Sequence, residues 1–301
     1  MIDPASSQPD REALPLAPPL LFPEGQTEKS VTELFASVVL EGAPKQELEN
    51  YWRQDWKRFV YTYGLVRGIR GPCLELGANP YFTTLLLRHF TDLDLSLANY
   101  FGPQFAARPS QKLSALNPRT GTRETYALEF DHFNLENSEF PFQSGSFEAV
   151  LLCEILEHLQ LDPVKVIVEI KRVLKPNGQL ILTTPNVSRL ENVCRMAAGV
   201  NIYDPYSGYG PYGRHNREYN KHELSLLLHY CGFTPEVLFT ADVHANDANN
   251  FFPVESVIPL VNFRKEDLGQ YLFSRSRNCG PAPTKRPAWL YRSYASSDLE
   301  S

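Results

Sequence analysis

Between residues 71 and 239, short apolar runs alternate with stretches whose apolar positions recur every three or four residues. Runs at 73–76, 93–98, 125–131, 147–153 and 179–183 read as strands, because each is rich in strand-forming residues and bounded by turn residues. Residues 82–89 carry helical spacing, and a further helix follows the fourth run. Lys175-Pro176-Asn177-Gly178 and Pro185 bracket the fifth. Strand–helix alternation of this kind predicts a parallel sheet with helices on both faces. A helix running to about residue 198 is expected next, then a helix over 221–229 that ends at Cys231-Gly232, where glycine suits a left-handed cap. Two late strands are expected at 234–239 and 270–276.

The flanks differ from this core. Pro4, Pro9, Pro15, Pro18, Pro19 and Pro23 make residues 1–29 a leader that resists regular hydrogen bonding and is expected to be disordered. A short helix over 30–42 and a longer one over 46–68 form a helical cap, residues 30–70. In the longer helix Tyr51, Trp52, Trp56, Phe59, Val60 and Tyr63 fall at helical spacing. Residues 71–278 form the main domain. Within it, 199–219 is rich in tyrosine and glycine and reads as a lid loop. Residues 279–301 form a Pro/Arg-rich tail that wraps the surface or is loose.

Composition narrows the partners. A chain of 301 residues with 43% hydrophobic residues can bury one large core. Its formal charge of −6 has the wrong sign for bulk attraction to phosphate backbones, so nucleic acid is not the expected partner. The five cysteines form no CxxC pair, which argues against a disulfide framework and a cysteine zinc site. Cys73 and Cys153 lie in apolar runs and read as small hydrophobes. There is no basic stretch followed by an apolar core at the N-terminus and no run long enough to span a bilayer, so a cytoplasmic setting is the expectation. Monomer and homo-oligomer both remain open.

Candidate chemistry begins at Cys73-Leu74-Glu75-Leu76-Gly77-Ala78-Asn79-Pro80-Tyr81, a strand that bends into a helix. Gly77 admits a close backbone approach. Glu75 is placed to meet a cationic amine, and the single glycine favours a zwitterionic cofactor over a phosphorylated one. Glu75-Leu76-Gly77 resembles the first motif of class I S-adenosylmethionine-dependent methyltransferases, with Asn79 and Tyr81 standing where that family usually has glycine. Phe140-Pro141-Phe142-Gln143-Ser144-Gly145-Ser146-Phe147-Glu148-Ala149-Val150 resembles that family's entry to the fourth strand. Arg172-Val173-Leu174-Lys175-Pro176-Asn177-Gly178 resembles its turn before the fifth, and Thr183-Thr184-Pro185-Asn186 its end. The resemblance implies a doubly wound, mainly parallel, seven-stranded Rossmann-like α/β sheet and S-adenosyl-L-methionine as cofactor. By position it implies that Gly77 and Ala78 line the amino-acid end with Glu75 nearby, that Asn79 also belongs to the cofactor site, that Asn99 meets the ribose, and that Asn134, Leu135 and Glu136 lie beside the adenine. Asn99 and Asn134 also read as turn residues after strands.

Glu154-Ile155-Leu156-Glu157-His158 is expected to open the helix after the fourth strand. Positions i, i+3 and i+4 would then place two carboxylates and an imidazole on one face, a plausible divalent-metal set. The segment resembles the Glu-x-x-Glu-His motif of ubiquinone-biosynthesis and small-RNA 2′-O-methyltransferases. That resemblance implies Glu154, Glu157, His158 and His215 as ligands of Mg2+ or another divalent metal. Alternatively His158 or His215 is a catalytic general base with no metal. Tyr206, Tyr209, Tyr212 and Arg214 are the candidate acceptor-binding residues, since tyrosines stack on rings and arginine holds anions. The expected activity is O-methylation of a hydroxyl on a small molecule or glycan. An RNA 2′-O-methyltransferase is the first alternative, helped by the local basic excess of Arg275, Arg277, Lys285, Arg286 and Arg292. A non-catalytic cofactor-binding scaffold, suggested by the altered glycines, is the second.

Overall fold

Thr27 and Ser30 form a reciprocal capping box that starts α1 (Glu28–Ala36). β1 (Val39–Leu40) and the long α2 (Lys45–Val66) follow. The alternation then runs β2 (Gly71–Leu76), α3 (Phe82–Phe90), β3 (Leu93–Asn99), β4 (Ser110–Leu116), β5 (Arg123–Glu129), β6 (Asp131–His132) and β7 (Phe147–Cys153). It continues with α4 (Pro163–Val173), β8 (Leu174–Pro185), α5 (Leu190–Ala197), α6 (Lys221–Tyr230), β9 (Phe233–Ala241), α7 (Val254–Val261) and β10 (Tyr271–Asn278). Short pieces β11 (Arg286–Pro287) and β12 (Leu299–Glu300) pair near the C-terminus. This computed structural model describes residues 16–102, 109–137 and 139–300.

The main sheet has seven strands in the order β6-β3-β2-β7-β8-β10-β9. Strands β6, β3, β2, β7 and β8 are parallel, and β10 runs antiparallel to both β8 and β9. The period of two along each strand divides the core. Cys73, Ala149, Leu151 and Ile181 pack toward α2 and α3 on one face. Leu74, Leu76, Val150, Leu152, Leu180 and Leu182 pack toward α4 and α6 on the other. Both faces of the central strands are therefore apolar, which is why they read as continuous runs. The helices are set by local signals: Asp162 caps α4 with Pro163 in its first turn, and Asn220 and Glu223 form a capping box on α6.

The sequence expectation fails at the third strand. Residues 123–129 leave the main sheet and pair with β4 as a hairpin, which joins β1 in a separate three-stranded sheet. Only Asp131–His132 continues the main sheet, beside β3. The turn explains the diversion: Asn117 Oδ1 accepts from the backbone N–H of Arg119 and Thr120, and Gly121 takes a positive φ. The two ends of the chain also have definite places. Residues 1–15 of the expected leader lie outside the described residues. From residue 16 the chain runs extended, with the Leu16 N–H donating to the Lys265 carbonyl and Tyr61 donating to the Pro18 carbonyl. In the tail, Arg286 and Tyr291 both bind the Asp162 carboxylate at 2.6 Å, tying the tail to the cap of α4. No helix among the described residues is long and apolar enough to cross a membrane.

At the end of the sheet where β7 and β8 stop, Gly269 packs against β9. A Cβ there would lie 2.5 Å from the Ala241 backbone nitrogen, an immovable neighbour. Gly269→Ala is expected to lower unfolding free energy by about 1–3 kcal/mol, the usual cost of overpacking, and denaturant titration measures it.

Candidate functional site

In open α/β sheets ligands bind beyond the carboxyl ends of the strands. Here the bend after β2 opens such a cleft. Gly77 takes φ +65° and donates its N–H to the Ala98 carbonyl at the end of β3 (2.8 Å). The positive φ favours glycine here, and a Cβ at residue 77 would also come within 2.8 Å of the Ile155 Cδ1, which would have to shift. The cleft encloses about 210 Å3 between Gly77, Asn99, Asn134, Leu135, Glu154 and His158. Tyr100 and Tyr212 form part of its rim, their rings 6.5 Å apart edge to face. A cavity of about 540 Å3 between residues 16–21 and β9 is larger, but it shares no lining residue with this cleft.

Side chains have replaced the missing glycines. Tyr81 sits in the left-handed region at the start of α3, fully buried, and donates to Gln111 Oε1 of β4 (2.6 Å). Asn99 donates to the Tyr81 hydroxyl (3.1 Å) and accepts from the Asn79 N–H (2.9 Å). Asn79 also reaches Gln111 (3.1 Å). Asn99 thus lines the cleft while half of its hydrogen-bonding capacity holds the bend.

The remaining predicted cofactor residues divide. Asn134 and Leu135 line the cleft, and Asn134 donates to the Tyr212 hydroxyl (3.2 Å). Glu136 is at the wall, but its carboxylate accepts from the backbone N–H of Gln160, Leu161 and Asp162 and so anchors the approach to α4. Glu75, Ala78 and Asn79 are not among the cleft-lining residues. Glu75 is buried and accepts from Thr84 at 2.6 Å. Burial pushes its carboxyl up to about 7, against that hydrogen bond.

The expected helix face of Glu154, Glu157 and His158 does not form. Glu154 takes φ +55°, its N–H extends the ladder to the Thr183 carbonyl, and only a 3-10 turn at Leu156–His158 follows. The glutamates therefore diverge. Glu154 accepts from the Thr183 hydroxyl (2.7 Å) and lies 3.8 Å from Arg58 of α2. Arg58 is itself buried, bonded to Asp55 (3.1 Å) and Tyr51 (2.7 Å) and flanked by the Tyr51, Phe59 and Tyr271 rings. Burial raises the Glu154 carboxyl above its usual range despite Arg58.

Glu157, His158 and His215 do come together, with one potential ligand atom from each lying within 4.8 Å of the others. Glu157 is fully buried. Its Oε2 accepts from Thr184 (2.8 Å), whereas Oε1 has no hydrogen-bond partner and faces His158 Nε2 at 3.7 Å. His158 Nδ1 meets the Arg214 carbonyl (2.9 Å), and His215 Nδ1 meets Glu218 Oε1 (2.8 Å). Each contact fixes the Nδ1–H tautomer when the ring is neutral, leaving Nε2 with its lone pair. The two rings are 5.0 Å apart. Burial pulls His158 below the ordinary histidine range. Burial also disfavours the His215 cation, but Glu218, Glu157 and Asp204 outweigh it and push that imidazole up to about 9. Burial raises the Glu157 carboxyl.

Of the predicted acceptor residues, Tyr212 reaches the cleft rim, Tyr206 and Tyr209 are solvent-exposed, and Arg214 stacks over Tyr206 at 4.9 Å. Sequence reasoning did not single out Glu218, Thr184, Asp204 or Arg58 as site residues. Glu218 carried a signal, an acid three residues after His215; Arg58 carried none, because its partners are brought together only by α2 crossing the sheet end.

Residues 75–182 match the family model described as Methyltransferase domain. This stretch is similar to a methyltransferase domain. It runs from the end of β2 through β8 and so contains Gly77, Asn99, Glu154, Glu157 and His158, while His215 and Arg58 lie outside the matched range. Solved structures similar to the chain include a member of the complex of the Haloferax volcanii Trm112 methyltransferase activator (16% identity, 78% of this chain and 93% of that one, TM-score 0.48). Others are an S-adenosylmethionine-dependent methyltransferase of Thermotoga maritima (16%, 77% and 95%, 0.45) and one of Methanosarcina mazei (14%, 70% and 93%, 0.43). No curated protein matches the sequence at a significant level.

The buried Glu75 carboxyl makes stability depend on pH. Below about pH 4.5 its carboxyl is protonated in both folded and unfolded chains; from there to about 7 only the unfolded chain ionises, so wild-type stability falls as pH rises through this window. Glu75→Gln removes that loss. Its stability relative to wild type is expected to grow with pH and level off above 7 at a gain on the order of 3 kcal/mol, read from unfolding curves across pH.

Proposed function

We propose that this protein is an S-adenosylmethionine-dependent methyltransferase that methylates a hydroxyl oxygen, assisted by a divalent cation at Glu157, His158 and His215. The observation that carries the reading is the buried Glu157 Oε1 without a partner, facing imidazole nitrogen at the wall of the cleft that Gly77 opens. A buried carboxylate oxygen left alone is costly; the His215 imidazolium offsets that cost through charge, and a divalent cation bound there would take the place of its proton.

The residues fit both groups. Gly77, Asn99, Asn134 and Leu135 would hold the nucleoside, and Glu154 lines the same cleft. Bound S-adenosylmethionine supplies a methyl carbon on a cationic sulfur, and transfer forms an O–C bond as the S–C bond breaks to leave a neutral thioether. One carboxylate and two imidazoles form a donor set suited to divalent transition metals. A cation held there would lower the pKa of a bound hydroxyl and orient it. The chain's own contribution is alignment: Thr184 and the Glu157 backbone, which accepts from Asn216 and Arg217, fix the carboxylate, and the Arg214 carbonyl and Glu218 fix the rings. The 3-10 turn holds His158 in the cleft wall, where its one free nitrogen, Nε2, would either bind the cation or, with no cation there, accept the hydroxyl proton.

Two of the five basic C-terminal residues that would suit an RNA acceptor are already engaged by carboxylates. Arg277 is paired with Glu236 at 2.8 Å, and Arg286 with Asp162 at 2.6 Å.

Calorimetric titration with S-adenosylhomocysteine tests the cofactor. A one-to-one complex is expected for wild type and none for Gly77→Val; absence of heat with wild type sinks the reading. His158→Ala is expected to keep that complex and lose about 10²–10⁴-fold in turnover. Stripping divalent ions is expected to reduce turnover at least tenfold, reversibly. Unchanged turnover in stripped protein would leave His158 as the base and remove the cation.

A further inference from the structure

A second cavity, about 510 Å3, lies against the other side of the Glu157–His158–His215 cluster. His158 lines the cofactor cleft and His215 lines this cavity, and their rings are 5.0 Å apart. The roof is the tyrosine-rich segment, and the walls include Tyr203, Asp204, Arg217, Glu218 and Glu223. The two compartments share no lining residue, and the facing His158 and His215 rings lie between them.

The charges of the second compartment are selective. Arg217 is held by Glu223 at 2.7 Å. Glu218 is held by Arg189 at 2.5 Å and by His215 at 2.8 Å. Asp204 is different. Its Oδ2 accepts the His215 backbone N–H at 3.0 Å, and its nearest cationic group is the His215 ring at 3.9 Å. Among the described lining residues, every arginine is engaged by a carboxylate, while Asp204 keeps acceptor capacity. The other cation of the lining, the His215 ring, is engaged by Glu218 at 2.8 Å, so an anionic acceptor entering here would meet Asp204 with no unengaged cation to balance it, and phosphate- and carboxylate-bearing molecules are disfavoured. Hydroxyl groups suit the site, since they donate to a carboxylate without being repelled. Beside Asp204, the Tyr203 ring is 84% exposed, and Tyr206 and Tyr209 on the same segment are still more open. Exposed tyrosine faces of this kind stack on the C–H faces of sugar rings and bond their hydroxyls at the rim.

We infer that this cavity is the acceptor subsite and takes an uncharged sugar ring, with Asp204 receiving its hydroxyls, Tyr203 stacking on it, and the reacting hydroxyl turned toward His158 and His215. The inference rests on the methyltransferase reading and adds the class of substrate. Further sugar units of an oligosaccharide would run outward along Tyr206 and Tyr209. RNA is the competing class, and the acidic wall opposes it.

The test uses the full-length protein saturated with S-adenosylhomocysteine, applied to a printed array of neutral, uronic-acid and phosphorylated oligosaccharides, with a short RNA duplex measured in parallel. Neutral glycans are expected to be retained and RNA not. Tyr203→Ala and Asp204→Asn are each expected to weaken retention about tenfold, the scale of a lost hydrogen bond to a charged group. Asp204→Asn keeps an oxygen for the His215 N–H, so a loss there reads the acceptor and not a displaced histidine. Retention of RNA or only of anionic glycans, retention of nothing, or retention indifferent to both substitutions overturns the assignment. Calorimetry with S-adenosylhomocysteine is run on the same samples. If that complex is absent, the methyltransferase reading fails; if it forms and no neutral glycan binds, the sugar assignment alone fails.

Discussion

The structure around the cleft depends on where one buried carboxylate points. Glu157 follows a fully buried strand, and its backbone and one oxygen are held by Asn216, Arg217 and Thr184, leaving the second oxygen toward two imidazoles. Burying such an oxygen without a partner is unfavourable unless a proton or a cation visits it. The surrounding polar groups are arranged to keep it oriented. Thr184 ends β8, Arg214 and His215 approach from the long loop, and Glu218 and Arg189 lie behind His215. Sheet, loop and α5 thus converge on one atom.

The neighbouring glutamate shows how backbone geometry divides similar residues. Glu154 and Glu157 are three apart, and on a helix they would share a face. The left-handed turn at Glu154 sends one toward Arg58 of α2 and the other toward His158 and His215. Arg58, buried among aromatic rings, lies on the helix that covers the sheet end, so the N-terminal segment supplies a charge to the cleft wall. The cap is therefore electrostatically part of the site as well as its cover.

Much of this was legible in the sequence. The central strands β2, β7 and β8 announced themselves because burial on both faces leaves unbroken apolar runs, and Gly77 because a ligand-facing bend tolerates no side chain. The β4–β5 hairpin was not legible. Its residues alternate in a way that fits either sheet, and only the turn at Asn117 to Thr122 decides which they join. The pairing of Glu157 and His158 with His215 could be named from resemblance, but the exclusion of Glu154 depends on one φ angle that a non-glycine residue rarely adopts. Glu218, Asp204 and Arg58 acquire roles only from chain crossings that spacing does not encode.

The hairpin also bears on the altered glycines. Tyr81 and Asn79 fill space that glycine would leave open, and each brings a buried or half-buried polar group that must be satisfied. Gln111, on the first strand of the appended sheet, satisfies both. The small sheet and the unusual bend are thus one structural commitment. Glycines at 79 and 81 would have no need of Gln111, and without the hairpin the Tyr81 hydroxyl would keep only Asn99 as a partner while the Asn79 side-chain amide would lose Gln111. Their joint presence or joint absence should mark the branch of the fold to which a chain of this kind belongs.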